Sequence, residues 1–227
     1  MLLCVSHTVN FSPHAMPAKA PTRSQRPRLS REEVRGRLVA GATELVRNRS
    51  FYELSVAELA ERAGIERTIF YRHFDDLADL LLRAATEAIE SLYETQVELD
   101  SEREEGDLEA VRAAVEPAVR VYHRHGPVIR AVTEAGASNP QIAARGAELR
   151  RRFNELTAVS LARLPGLRDN PPADIAESAR ALNLMNEAYL RDAFGHEPRL
   201  SPEAAIQTLT EIWAAFLDRQ SPRGESD

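Results

Sequence analysis

The chain has 227 residues, a formal net charge of −6 and 28% charged residues. That length supports a sizeable core in one compact unit or two linked ones, and no run of about 18 apolar residues offers a membrane-spanning helix. The single cysteine, Cys4, excludes an intramolecular disulfide and makes a cytoplasmic setting the natural expectation.

Taken in chain order, the opening M-L-L-C-V-S-H-T-V-N-F-S is mildly apolar but lacks the basic start and cleavage site of a signal peptide. Met16 begins a more ordinary amino terminus, so residues 1–15 read as an over-called start or a disordered tail. The Pro/Arg-rich stretch that follows has little core-forming capacity, and residues 1–29 together form a basic arm. It serves either as a solubilising tail or as a contact to phosphate or the minor groove. Ser30 with Glu33 is a capping box, in which hydroxyl and carboxylate each satisfy an orphan amide. It opens a helix to about Asn48, with Val34, Leu38, Ala42 and Leu45 as the buried stripe. Phe51 and Leu54 fill the gap before a second box, Ser55 with Glu58. Val56, Leu59, Ala60 and Ala63 then share one face of a short helix. Gly64 stands where the chain must reverse, a position that favours positive φ. Another short helix is expected over about Arg67–Phe74. Ile65, Ile69 and Phe70 pack back on its predecessor, leaving Arg67, Thr68, Tyr71, Arg72 and His73 outward. A short helix presenting Arg, Thr, Tyr and His suits a DNA major groove.

Ala63-Gly64-Ile65 followed by Phe70-Tyr71-Arg72-His73-Phe74 resembles the signature of the TetR family of transcription regulators. The resemblance implies an all-α chain. An amino-terminal three-helix helix-turn-helix domain (residues 30–75) would read DNA, and a carboxy-terminal helical domain (residues 76–220) would bind a ligand and dimerise. Residues 221–227 form a disordered tail. Tyr71 and His73 match positions that hold the DNA backbone, and Arg67 and Arg72 are placed for groove contacts. With Ser55 and Thr68 these make the expected DNA-binding set. The chain departs from the family at Glu66, where a capping serine is usual. Ile69 replaces a phosphate-binding threonine, and Leu77 stands where lysine is common. Charge agrees with the division: Pro17 to Phe74 holds 12 Lys+Arg and 7 Asp+Glu, a balance of +5 that leaves −11 for the rest. Such a localised basic region is a nucleic-acid footprint.

The remainder reads as helical throughout. Asp75 or Asp76 caps a long helix to about Leu99, carrying Leu77, Leu80, Leu81, Ala84, Ile89, Leu92 and Val97. A second segment covers about Leu108–Arg124 and bends at Pro117. Gly126-Pro127 breaks the chain before a short helix over about Val128–Gly136. Asn139-Pro140 opens a helix to about Leu164, since Asn caps and Pro suits the first turn. L-P-G-L-R-D-N-P-P is a loop. Two last helices cover about Ala173–Phe194 and Pro202–Arg219.

Ala181-Leu182-Asn183-Leu184-Met185-Asn186-Glu187, with Phe194, Pro202-Glu203-Ala204 and Ile212-Trp213, resembles the mycobacterial ethionamide-activation subgroup of the TetR family. Asn183 and Asn186, three apart, place both amides on one side of a helix. Amides on an apolar helix are costly without partners. They either bond a neighbouring helix or dimer partner, or offer a polar handle in an apolar pocket. The resemblance implies a tunnel lined by Asn183, Asn186, Trp213 and Thr157. Tyr122 and Phe153 supply aromatic walls, and Val111, Ala118 and Leu156 replace bulkier aromatics. It implies a hydrophobic small-molecule effector, palindromic double-stranded operator DNA, and a homodimer through the last two helices. Leu182, Leu190, Ile206, Leu209, Trp213 and Phe216, or their neighbours, would form that interface. No cofactor or metal is expected.

An enzyme is the reading disfavoured by motif. His123 and His125 are two apart and diverge on a helix, and no HExxH, CxxC, GxSxG or phosphate-cradling glycine loop occurs. The other alternative is a helical ligand-binding or dimeric adaptor without operator binding, to which the changes at Glu66, Ile69 and Leu77 point. The expectation is a ligand-responsive DNA-binding regulator, a repressor by the family's usual habit.

Overall fold

The computed structural model describes residues 29–102, 108–164, 167, 171–197 and 199–218. The basic arm before residue 29, Cys4, the carboxy-terminal tail and most of the Leu164–Pro172 loop lie outside the described residues. Every regular element among the described residues is helical.

Helix α1 (Arg31–Val46) begins at the expected capping box: Ser30 Oγ accepts from the Glu33 amide, and the Glu33 carboxylate takes the Ser30 amide. Val34, Leu38, Ala42 and Leu45 are buried, as the spacing requires. A 3-10 turn at Phe51–Glu53 leads into α2 (Val56–Ala63). Here the second box is one-sided. Ser55 Oγ accepts from the Glu58 amide at 3.2 Å, but the Glu58 carboxylate turns to the guanidinium of Arg49. Gly64 has φ 64, the left-handed conformation, and is the one residue with positive φ among those described.

The next helix is shorter than its sequence suggests. Helix α3 runs Arg67–Phe70. The chain then tightens into bonds three residues apart, Arg72 N to Ile69 O at 3.1 Å and His73 N to Phe70 O at 2.9 Å. This turn carries Phe74 into the core beside Phe70 and hands the chain to α4 (Leu77–Glu102). Asp76 Oδ1 accepts from the Asp79 amide at the start of α4.

A second correction concerns the middle of the chain. Pro117, Gly126 and Pro127 do not divide it: α5 (Leu108–Gly136) is one helix of 29 residues that contains both prolines. A proline forfeits one backbone hydrogen bond and bends a helix without necessarily ending it. Gly126 has a packing duty instead. A Cβ there would stand 2.3 Å from the carbonyl oxygen of Phe194, so only glycine lets α5 approach the end of α7 (Ile175–Gly195). Between them lies α6 (Pro140–Arg163), capped by Asn139, whose side chain accepts from the Gln141 and Ile142 amides. Last comes α8 (Pro202–Asp218).

Helix α5 is the central strut. It packs on α4, α6, α7 and α8, and also on α1 and the 3-10 turn. One apolar cluster therefore runs from Val34 and Leu38 of α1 through Leu80 and Leu81 of α4 to Leu190 of α7 and Leu209 of α8. A smaller cluster of Leu161, Leu167 and Ala179 is flanked by Leu182, Trp213 and Phe216. Leu190, Ile206 and Leu209, expected at a dimer interface, are only 1%, 2% and 0% exposed within the chain's own core. They cannot meet a partner. The large apolar residues of the last two helices that do face outward are Leu184, at 40%, and Ile212, at 40%, with Ala181, Ala188 and Ala215 exposed on the same helices.

Candidate functional site

Two regions gather the functional side chains. The first is the outer surface of the α2–α3 pair. Ser55, Arg67, Thr68, Tyr71 and Arg72 are exposed there and His73 is half-buried. Tyr71 is 49% exposed, and its ring meets buried Phe70 edge-on at 5.2 Å between centroids. The Arg67 guanidinium lies 5.8 Å from the Tyr71 ring centre and 3.4 Å from its hydroxyl, so the two groups form one amphipathic, cationic knob. Glu66 occupies the N-cap of α3 but its carboxylate caps no amide; it lies 3.5 Å from the Thr68 hydroxyl. Ser55 is held in its cap bond.

The second region is an internal cavity with two lobes. One, of about 140 Å³, lies among α4, α5, α6, α7 and α8, with Phe153, Thr157, Asn183, Asn186 and Trp213 on its walls. Val111, Ala118 and Leu156, the small replacements noted in the sequence, line it too. The other, of about 180 Å³, shares Leu92, Ala118, Phe153, Asn183 and Asn186 with the first and adds Tyr122, Arg150 and Glu187. All six expected ligand-contacting residues line one lobe or both.

The polar groups are arranged as a short chain. Asn183 Nδ2 donates to Asn154 Oδ1 at 3.0 Å and to Thr157 Oγ1 at 3.1 Å. Trp213 Nε1 donates to Asn186 Oδ1 at 3.2 Å. An indole N–H only donates, so this bond fixes which end of the Asn186 amide is oxygen and leaves its NH2 without a partner among the described residues. The asparagines bond neighbouring helices, and both also line the cavity. Burial pushes the Tyr122 hydroxyl well above its ordinary range; Glu187 adds to the shift, while Arg191 and Arg150 oppose it.

Sequence reasoning missed the junction between the regions. Arg130 is 5% exposed. Its Nε donates to the Gly195 carbonyl at 3.0 Å, and its Nη2 to the carbonyls of Val46 and Arg49, the latter at 2.9 Å. Its Nη1 pairs with Glu134 one turn on. The other Glu134 oxygen accepts from Ser50 Oγ and the Phe51 amide, each at 2.8 Å. Tyr52 Oη donates to the Glu134 carbonyl, also at 2.8 Å. Burial raises the Glu134 pKa, but the Phe51 amide, the Ser50 hydroxyl and the Arg130 charge outweigh it and hold the carboxyl below its ordinary value. A buried arginine tying the end of α1 to α5 and α7 shows no motif. Its only trace in sequence is a charge amid the apolar run P-V-I-R-A-V.

His123 and His125 do not converge: His123 stacks edge-on against Phe194 at 5.5 Å, while burial and then the charge of Arg124 lower the pKa of His125. Among the described residues no group of three or more His, Cys, Asp or Glu side chains is placed to hold a metal, and no helix is long and apolar enough to cross a membrane.

Residues 38–84 match the bacterial regulatory proteins of the tetR family, and residues 111–217 match the carboxy-terminal domain of the transcriptional regulator EthR. The HTH-type transcriptional regulator EthR of Mycolicibacterium smegmatis is 31% identical over 214 residues, covering 89% of this chain and 93% of that protein. The EthR of Mycobacterium tuberculosis is 29% identical over 192 residues, covering 79% and 85%. A transcriptional regulator from Pseudomonas aeruginosa PAO1 superposes with a TM-score of 0.66 at 16% identity, over 85% of this chain and 93% of that one.

Proposed function

Because the chain belongs to the TetR family, with a carboxy-terminal domain of the EthR type, and is a DNA-binding transcriptional regulator, we propose that it is a repressor released from a palindromic operator by a hydrophobic small molecule. Two copies joined through the last two helices set two α3 helices in successive major grooves. Arg67 and Arg72 reach base edges, and Tyr71, His73 and Thr68 hold the phosphate backbone, with the Ser55 end of α2 beside them. The protein works in the cytoplasm and needs no cofactor.

The observation that carries this reading is the position of the cavity. Helix α4, which starts three residues after the Phe74 that closes the DNA-facing turn, supplies the Leu82, Ile89 and Leu92 walls. Helix α5 supplies Ile129, Val132 and Thr133 to the cavity and Arg130 and Glu134 to the DNA-facing domain. A ligand that spreads these walls must therefore move the two helices that hold α1–α3. Ligand and operator compete through one conformational equilibrium, and the coupling is reciprocal.

The test is a mobility shift with DNA from the chain's own upstream intergenic region, at two salt concentrations and with non-specific competitor. A specific, salt-sensitive shift that a bound apolar compound reverses is the expected result. Absence of a shift on that region and on a randomised operator library removes the repressor reading and leaves a helical ligand-binding adaptor.

A further inference from the structure

Two donors are left over in the second lobe, which the Glu187 carboxylate also lines. Tyr122 is 7% exposed, lines this lobe, and its hydroxyl has no hydrogen-bond partner among the described residues. The Asn186 NH2 is likewise unpartnered where the two lobes meet, because its oxygen serves Trp213. At the rim, Arg150 and Arg191 share a single carboxylate, Glu187, at 3.6 and 3.2 Å. Arg150 keeps nearly half its side-chain surface exposed and is loosely held. The first lobe has Leu161, Leu209 and Leu217 among its walls.

A hydroxyl that faces an apolar cavity without a protein partner is free to donate to an occupant that offers an acceptor. An occupant that answers two neutral donors must offer acceptors, and one that also pairs with Arg150, which Glu187 holds only at 3.6 Å, is negative. Its body must be apolar to match the other walls. We propose that the second lobe holds the carboxylate head of an amphiphilic acid, accepting from Tyr122 Oη and the Asn186 amide and facing Arg150, while its hydrocarbon chain runs into the first lobe toward Trp213. This deepens the effector reading and rests on it. A carboxylate has two acceptor oxygens, and hydrogen bonds to a charged group are about twice as strong as neutral ones.

Decanoate, methyl decanoate and 1-decanol, each below its aggregation concentration, separate the head from the chain. Binding to the full chain is measured by calorimetry without DNA. Decanoate is expected to bind about tenfold or more tighter than the ester or the alcohol, one charge-assisted hydrogen bond's worth. Tyr122→Phe, which keeps the ring and its packing, and Arg150→Gln are each expected to remove most of that preference, the acid losing more affinity than the ester. Equal affinity for acid and ester overturns the assignment, as does a preference that survives both substitutions, or no binding by any of the three. Operator release is read separately by mobility shift. If decanoate binds with the expected preference and the operator complex persists, the head assignment stands and the effector reading falls.

Discussion

Tyr71 rests on Phe70 by one edge and meets water with the rest of its ring, so truncating it removes surface contact and little core. Tyr71→Ala is expected to lower operator affinity by one to two orders of magnitude, about 1–3 kcal/mol. Its melting temperature should stay close to the parent's. Unchanged affinity in the mobility shift would place the DNA contact elsewhere. Asn183→Ala tests the other region: it removes the donor to Asn154 and Thr157, costs about 1–2 kcal/mol of stability, and shifts effector response with operator affinity of the ligand-free protein intact. Equal effector sensitivity in variant and parent would take Asn183 out of the site. These residues were legible because each belongs to a pattern: a turn glycine among core apolars for Tyr71, two amides at helical spacing for Asn183. Arg130 belongs to none. Beyond Glu134 one turn on, its partners are carbonyls of Val46, Arg49 and Gly195, and backbone acceptors leave no mark on sequence.

Among the elements, α5 departs furthest from its sequence. Gly126-Pro127 carries the local chemistry of a helix break, yet the chain passes through because the lost bond is offset by the packing of a central helix on every neighbour. Local rules see the proline but not the α7 carbonyl that needs the glycine. Gly126→Ala is the direct check. With a Cβ 2.3 Å from Phe194 O, α5 and α7 must separate, and the variant should lose about 2–3 kcal/mol in urea unfolding although alanine is the better helix former. An unchanged midpoint would show that the contact yields freely. The Arg130–Glu134 pair makes a pH-dependent joint between elements. Glu134 has its folded pKa below the ordinary 4.5, so its contribution is fully present above that value and is lost as pH falls through the depressed folded value. Glu134→Gln should therefore be less stable than the parent at neutral pH, and the gap should close on acidification below about pH 4.5. A gap constant with pH would mean that the charge of Glu134 does not hold the joint.

For the whole molecule, charge is divided unevenly, +5 from Pro17 to Phe74 against −11 elsewhere, so the acidic bulk should repel DNA wherever the basic end does not hold it. Operator affinity is expected to fall by about a hundredfold or more between 50 and 200 mM salt; a flat dependence would contradict a phosphate-held complex. Assembly is where sequence periodicity misled. It marked Leu190, Ile206 and Leu209 as apolar, but could not separate a face covered within the chain, chiefly by α5, from one left for a second copy, because both obey the same helical spacing. The outward residues are Ile212 on α8 and Leu184 on α7. Ile212→Glu puts a charge on that surface without entering the core, since Ile212 is already 40% exposed. If the last two helices pair across a two-fold axis, the charge appears twice at the interface and is desolvated each time. Sedimentation velocity should then show a monomer with parental helix content. Operator affinity should drop by at least the square-root loss that follows when two half-sites no longer bind as one unit. A variant that remains dimeric and still shifts the operator would move the interface off α8 and leave the two recognition helices to be joined by another surface.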